Sequence, residues 1–464
     1  MSEADETLDE EQTRACSYLG APVAIIAGAG TGKTRTLTHR IAYAAAQGEL
    51  DPHATLAVTF TVAAADEMRS RLAQMGVESV QCRTFHSAAL RQAQYFWPLA
   101  YGVNLPDIME DTTALVRAAC ERTGLPATPA SLAEVAQEVA WSKQSNVLAE
   151  DYVRLALDES RVTRAAPESV ADAIVAYEEA KQAARVIDFD DVLLCAVALL
   201  ATQRHIRVKV RDTYRHFLVD EFQDVSPIQA RLLDLWLGER SDVCVVGDPA
   251  QTIHTFAGAR PEYLVHFAAH HRGTTELNLT RNYRSTPQIL AVANALNPRG
   301  LHLDATHEAG PEVTLAGQDT PDQERERVCR WLKELDRGGL AWSEMAVLTR
   351  TRAEAQHYGQ ELAENGIPVS RPSVVEPSAR EGVHVGTLHA AKGKQWAAVC
   401  IVGAHEGGLP HPLATGPTRL AEERRLFYVG VTRAKTFLRV SWSERVNSRT
   451  VTRSRFVDEI AGAI

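Results

Sequence analysis

Short apolar runs ending in glycine or polar residues recur along this chain, and each is followed by a longer stretch with helical periodicity. Pro22 to Ala27 is such a run, and Gly28-Ala29-Gly30-Thr31-Gly32-Lys33-Thr34 leads from it into helical character through about Ala46. Leu56 to Thr61 predicts a second strand, with a helix containing Ala63 to Leu72 behind it. Arg215 to Val219 and Val243 to Val246 predict two more strands, the latter closed by a turn at Gly247-Asp248-Pro249. From Ala88 to about Arg185 the pattern is alanine-rich and helical with few strand signals, and it reads as an insertion. A second alternating region begins near Leu277, with strands expected at Met345–Thr349, Val383–Thr387 and Val399–Val402. Parallel strands separated by helices predict an α/β protein with two doubly wound domains, and a cleft between them is the expected place for a nucleotide.

The glycine loop follows a strand and opens a helix, so its backbone N–H groups and the helix N-terminus can receive a phosphate chain. Lys33 would reach the β and γ phosphates, and the Thr34 hydroxyl would hold Mg²⁺. Against the G-x-x-x-x-G-K-[ST] template the first position is Ala27 instead of glycine. The competing reading is a glycine turn with a solvated lysine. Asp220-Glu221-Phe222-Gln223-Asp224 follows the apolar strand ending at Val219 and places adjacent carboxylates at a strand end. Asp220 suits a second metal ligand, and Glu221 suits the general base for an attacking water. Alone, the pair would read as a solvated turn; beside a phosphate loop it reads as the hydrolytic part of an ATP site.

At 464 residues the chain exceeds one compact core and predicts two to four domains. It is 45% hydrophobic but has no apolar run of membrane length. The acidic start, Met1-Ser2-Glu3-Ala4-Asp5-Glu6, has no secretory apolar core. Cysteines at 16, 82, 120, 195, 244, 329 and 400 form no C-x-x-C pair, which disfavours a zinc site or disulfide framework and points to a reducing cytoplasm. A net charge of −10 argues mildly against wide nucleic-acid coverage, so any such groove must be local and rely partly on stacking.

The motifs together resemble the UvrD/PcrA/Rep group of superfamily 1 DNA helicases, from about Leu8 to about Ile460. Leu8-Asp9-Glu10-Glu11-Gln12 is similar to the adenine-reading Q motif. Thr59-Phe60-Thr61, with Ala64-Ala65 and Glu67-Met68, resembles motif Ia, and Thr84-Phe85-His86-Ser87 resembles motif Ib. Asp188-Phe189-Asp190-Asp191 resembles the segment leading into motif II, and Gly247 to Gln251 resembles motif III. Asn282-Tyr283-Arg284-Ser285-Thr286, Thr387 to Gly393, and Glu422 to Ala434 resemble motifs IV, V and VI.

The resemblance implies two RecA-like parallel-sheet domains, with a helical insertion in the first. The expected limits are 1–87 with 186–278 for the first domain, 88–185 for the insertion, and 279–464 for the second domain. It implies ATP and Mg²⁺ as cofactors. Glu221, Gln251, Arg284 and Arg433 would be catalytic. Gln12, Ala27 to Arg35, Tyr283 and Gln395 would bind the nucleotide, with Thr34 and Asp220 on the metal. An arginine finger is worth about 10³ to 10⁵ in rate, and Arg284 and Arg433 both lie beyond the first domain, so hydrolysis would depend on domain closure. Thr59, Phe60, Thr84, Phe85, His86, His254, Phe256, Thr387, His389 and Lys392 would line the DNA track. Phe189 also sits in a segment that the resemblance associates with the DNA channel; about half of the seven candidates Phe60, Phe85, His86, Phe189, His254, Phe256 and His389 could be core instead, Phe189 first among them.

Motif III carries His254, Phe256 and Ala257 where the commoner form has tyrosine, tryptophan and arginine, and motif V has Gln395 in place of glutamate. Stacking could survive these changes, but the arginine link between ATP and DNA could not. Between Val369 and Val383 only about a dozen residues remain where the family inserts its helical 2B subdomain, so that subdomain is expected to be reduced or absent. These features resemble the second UvrD-type paralogue of actinobacteria, which often continues beyond the equivalent of Arg455-Phe456 into a further domain. The chain is then a natural short form or a truncated one.

The implied activity is 3′ to 5′ translocation on single-stranded DNA and helicase action on tailed or forked duplexes, in repair or replication. The setting would be cytoplasmic and nucleoid-associated, with a monomer, repair-protein partners and no membrane. The alternative is a DNA-stimulated ATPase and remodelling protein that does not unwind duplex without a partner or additional domain. An inactive ATP-binding scaffold is disfavoured, because Lys33, Asp220, Glu221, Gln251, Arg284 and Arg433 are all present.

Overall fold

The computed structural model describes residues 7–159, 161–297, 300–370 and 382–463. The chain divides into two compact units. The first holds the residues up to Ile26, Lys33–Gly247 and His254–Leu277; the second holds Ala27–Gly32, Asp248–Ile253 and the chain from Asn278 onward.

The first unit is built on a six-stranded sheet in the order Gln81–Thr84, Thr55–Thr59, His216–Val219, Val243–Gly247, Val23–Ala27, Thr275–Leu279. The neighbours from Gln81–Thr84 through Val23–Ala27 pair in parallel. Strands covered on both faces need near-continuous apolar runs, and Thr55–Thr59 and Val243–Gly247 are buried at every position. That burial is why they were readable in the sequence. Gln81–Thr84 is polar and Thr275–Leu279 sits at the sheet edge, and neither showed such a run.

Helices Phe85–Tyr101, Asp191–Thr202 and Pro227–Leu237 pack on this sheet. Trp236 stacks at 6.1 Å against both Phe85 and Phe217, and donates its indole N–H to Gln92 at 2.9 Å. Helices Thr113–Arg122, Pro129–Gln144, Ala149–Asp158 and Pro167–Ala184 form a separate apolar core around Trp141, Tyr152 and Tyr177. Asp107–Ile108 pairs in parallel with Val186–Ile187 where the chain enters and leaves this helical block. Strands that short carry no periodicity, and the sequence pattern passes over them.

The second unit has an all-parallel five-stranded sheet in the order Thr314–Gln318, Ala434–Ser443, Trp396–Ile401, Met345–Thr349, His384–Thr387. Met345–Thr349 lies where it was expected, while the strand expected to begin at Val399 starts at Trp396 and ends at Ile401. Val369 and Val383 form a single parallel bridge, and residues 371–381 lie outside the described chain. Both units are thus parallel α/β layers, the class the strand–helix alternation predicted.

Candidate nucleotide and DNA sites

In the first unit the Lys33–Ala46 helix begins directly after the glycine loop. Thr34 Oγ1 donates to Asp220 Oδ2 at 2.8 Å, joining the helix start to the end of strand His216–Val219. Asp220 is 2% exposed. Burial first, and the adjacent Glu221 second, push its carboxyl up to about 6, opposed by Thr34 and Lys33. Glu221 adopts the left-handed conformation at φ +53°, where the Cβ that glutamate carries and glycine lacks makes the backbone costly unless its surroundings hold it there. Its N–H is tied to Asp220 Oδ1 at 2.9 Å, and its carboxylate accepts from Gln223 Nε2 at 2.5 Å. Two carboxylates are thereby held next to each other, one buried and one aimed by a neighbouring amide.

In the second unit the loop Ala27–Gly32 is fastened to the Asn282-Tyr283-Arg284 segment. Asn282 Nδ2 donates to the Ala29 carbonyl at 2.6 Å, and the Tyr283 N–H donates to the Gly30 carbonyl at 2.9 Å. Gly30 has φ +71°, and a Cβ there would stand 2.5 Å from Asn282 Nδ2, so close approach and backbone conformation both require glycine. Asn282 Oδ1 also accepts from the N–H groups of Arg284 and Ser285, each at 2.8 Å. Arg284 Nη1 reaches the Thr432 carbonyl at 3.1 Å.

Arg433 is buried and donates to Gln251 Oε1 at 3.0 Å and to the Val429 carbonyl at 2.9 Å. Gln251 Nε2 donates to Asp248 Oδ2 at 2.8 Å, and Lys392 Nζ donates to the Gln251 carbonyl at 2.8 Å. Within this unit Gln251, Arg284, Arg433 and Lys392 therefore belong to one hydrogen-bonded group. Gln12 is buried in helix Glu10–Ser17, where its Oε1 accepts the Asp9 N–H at 3.2 Å as half of a capping box. Tyr283 and Gln395 are both exposed.

The expected DNA-facing residues separate by burial. Phe85, expected to face DNA, is instead 1% exposed and lies against Trp236 and Phe60 as a core side chain. Thr59 is likewise buried, and the Thr84 hydroxyl accepts the Ser87 N–H as a helix cap at 3.1 Å. Phe189, expected first among the core residues, is instead 56% exposed and stacks on His86 at 4.4 Å with the rings 13° apart. His254 and Phe256 lie edge to face at 5.9 Å, with Phe256 exposed. In the second unit Thr387 and Lys392 are partly buried. His389 is driven down to about 4 by burial and then by Arg350, so its ring is neutral at physiological pH.

The family model of the UvrD/REP helicase N-terminal domain matches residues 8–272, more than half the chain. This chain belongs to the UvrD/Rep helicase family. The UvrD-like helicase C-terminal domain matches residues 277–376 and 370–445. ATP-dependent DNA helicase UvrD2 of Mycobacterium tuberculosis is 33% identical in an alignment 549 residues long, which covers 94% of this chain and 78% of that protein. UvrD1 of Mycobacterium leprae is 30% identical over 79% of this chain, and PcrA of Leuconostoc citreum is 28% identical over 78%. The chain spans about half the length of those two relatives. As a UvrD-type member of superfamily 1 it is an ATP-hydrolysing helicase, and no helix among its described residues is long and apolar enough to cross a membrane.

Several residues that shape this helicase's candidate sites were missed in the sequence. Asn282 and Asp248 organise the loops around them, yet attention there falls on the neighbouring tyrosine, arginine and glutamine. Asp188 and Asp191 meet Lys143 and Lys181 in a buried cluster that also includes Glu178 and Tyr177. Lys143 is held protonated above its ordinary range by Asp188, Asp191 and Glu178, against the opposing effect of burial. In Asp188-Phe189-Asp190-Asp191 the first and last carboxylates therefore anchor the segment, while Phe189 is exposed and the partly buried Asp190 accepts from Gln144. Alternation of roles within four residues was the available signal.

Proposed function

We propose that this helicase is a 3′ to 5′ translocase on single-stranded DNA driven by Mg²⁺-dependent ATP hydrolysis, acting in repair or replication. The observation that carries the reading is the buried Asp220 carboxylate bonded to Thr34 and adjoining Glu221. A carboxylate excluded from water, with a second carboxylate next to it and a helix-terminal hydroxyl bonded to it, fits a hard divalent cation. Asp220 and Thr34 would hold Mg²⁺, which when bound neutralises phosphate charge. Lys33 would bind the terminal phosphates, and Glu221 would take the proton of the attacking water. Gln251, Arg284 and Arg433 would supply the remaining polar contacts and positive charge, Gln12 and Tyr283 would flank the base, and Gln395 would accept from the sugar. DNA would run over Phe60, His86, Phe189, His254 and Phe256 of the first unit and Thr387, His389 and Lys392 of the second.

The domain reading is that 1–87 with 186–278 and 279–464 are the two RecA-like domains, with 88–185 inserted in the first. We further propose that the 2B subdomain is reduced. Two observations support this: Val369 bridges Val383 directly, and the UvrD2 alignment is longer than the 464 residues of this chain. Autonomous unwinding would then be weak, and partner-dependent strand separation is the second reading. The protein would act as a cytoplasmic, nucleoid-associated monomer with repair-protein partners.

The test is ATPase activity with and without single-stranded DNA, together with streptavidin displacement and unwinding on tailed duplexes of both polarities. The proposal expects DNA-stimulated hydrolysis and displacement in the 3′ to 5′ direction only, with little unwinding. Absence of DNA stimulation, or opposite polarity, overturns it.

A further inference from the structure

Gln144 is the last residue of helix Pro129–Gln144 in the helical block, and its side chain joins two segments distant in sequence. Its Oε1 accepts from Ser226 Oγ at 2.8 Å, two residues beyond the carboxylate-bearing turn that ends at Asp224. Its Nε2 donates to Asp190 Oδ1 at 2.7 Å. That same Asp190 oxygen lies 3.8 Å from His86 Nε2, a buried nitrogen with no hydrogen-bond partner among the described residues, and His86 stacks on the exposed Phe189 ring. A third segment touches the same place. A Cβ on Gly258 would stand 3.1 Å from Gln144 Cβ, so the turn after His254 and Phe256 packs directly on this side chain. Arg161, clamped by both oxygens of Glu138 and stacked 4.2 Å over Trp141, adds contacts to the Phe256 carbonyl from the same helical block.

An amide is suited to this position because it accepts at one end and donates at the other, and each end is fixed by a different segment. Leucine matches its size and can do neither. All of these residues belong to the first unit. We propose that Gln144 is a positioning residue that ties the segment after the Asp220-Glu221 turn to the His86–Phe189 platform, so that the helical block sets the affinity and efficiency of DNA stimulation. The inference rests on the DNA-stimulated ATPase reading. It also offers a physical route for coupling in a chain whose motif III has Ala257 where the commoner family form has arginine.

The experiment titrates a single-stranded oligonucleotide into the full chain and reads ATPase rate, for wild type, Gln144→Leu, Gln144→Glu, Asp190→Ala and the Gln144→Leu/Asp190→Ala double variant, with urea midpoints alongside. Loss of a hydrogen bond to a charged partner predicts that Gln144→Leu raises the half-saturating DNA concentration by about tenfold or more. Gln144→Glu retains the acceptor for Ser226 but sets a carboxylate against Asp190, and is expected to show the same rise. The double variant should be no worse than either single one, because the two side chains act as a pair. A half-saturating concentration within about twofold of wild type in folded Gln144→Leu overturns the proposal, as do additive effects in the double variant. Should Gln144→Leu not fold, Asp190→Ala alone decides by the same criterion. A wild-type enzyme with no DNA stimulation would instead sink the functional reading itself.

Discussion

Arg433 Nη2 donates to Gln251 Oε1 at 3.0 Å, and Gln251 donates onward to Asp248. The glutamine is thus held at both ends, with the guanidinium already placed beside the side chain proposed to read the terminal phosphate. Lysine has one compact charge and cannot serve Gln251, Val429 and Thr432 as the guanidinium fork does. Arg433→Lys is expected to lower DNA-stimulated kcat by about 10³ or more while nucleotide affinity changes little. Steady-state hydrolysis and fluorescent-nucleotide titration check this, and a kcat within about tenfold of wild type would count against the assignment.

The Asp220-Glu221 pair gives a pH-dependent stability with a defined sign. Its native carboxyl is raised to about 6 from 3.8, so the folded protein binds a proton that the unfolded chain has released. Stability from this group is then present at low pH and is lost as pH rises through about 6. Asp220→Asn should therefore raise the Tm of nucleotide-free and metal-free protein at pH 7.5, and the gain should shrink toward pH 5. Calorimetry across that range, showing an unchanged or lower Tm at the upper end, would refute the sign.

Lys33→Ala and Glu221→Gln separate binding from chemistry. Lys33→Ala should weaken nucleotide binding and hydrolysis together, whereas Glu221→Gln should retain binding and lose turnover by at least about 10²-fold, the usual scale of a general base. DNA-stimulated turnover retained in either variant would remove that residue from the site.

The alternating pattern disclosed the two parallel sheets because their central strands are buried on both faces, as at Thr55–Thr59 and Met345–Thr349. Thr314–Gln318 and Gln81–Thr84 escaped because partly exposed or polar strands lack such runs. Lys33, Thr34, Asp220 and Glu221 were legible because loop and carboxylates each sit at a strand end. Phe85, expected to face DNA, is buried, and Phe189, the first expected to be core, is exposed, since a motif fixes the backbone position of a ring but not the direction it faces. The stacking of Phe85 on Trp236, 151 positions later in this 464-residue chain, is a tertiary fact that no local pattern contains.

That reversal is testable. Phe189→Ala removes an exposed platform and should weaken single-stranded DNA binding by about 1–3 kcal/mol, with the urea midpoint nearly unchanged. Phe85→Ala should instead lower stability by about 3–5 kcal/mol through a cavity against Trp236, and DNA affinity of the remaining folded protein should hold. Fluorescence anisotropy and urea unfolding on both variants distinguish the two roles, and equal loss of DNA affinity in Phe85→Ala would restore it to the DNA track.

Arg350 and Glu423 form a partly buried ion pair whose charges both act on His389. Arg350 Nε donates to both carboxylate oxygens at 3.0 Å and Nη2 adds a bond at 2.7 Å, while Glu423 also accepts the His411 N–H at 2.9 Å. Glu423 is almost wholly buried, so deleting its cation leaves an uncompensated charge. Arg350→Met is therefore expected to cost about 3–5 kcal/mol, and Arg350→Met/Glu423→Leu to recover a large part of it. The pair also bears on the DNA candidate beside it, because Arg350 is the second cause, after burial, of the low His389 value. Removing Arg350 should raise the His389 titration, followed by NMR, and adding Glu423→Leu should take away the counteracting carboxylate and bring it part of the way back. A double variant no more stable than Arg350→Met would show that the guanidinium acts through packing and not through charge.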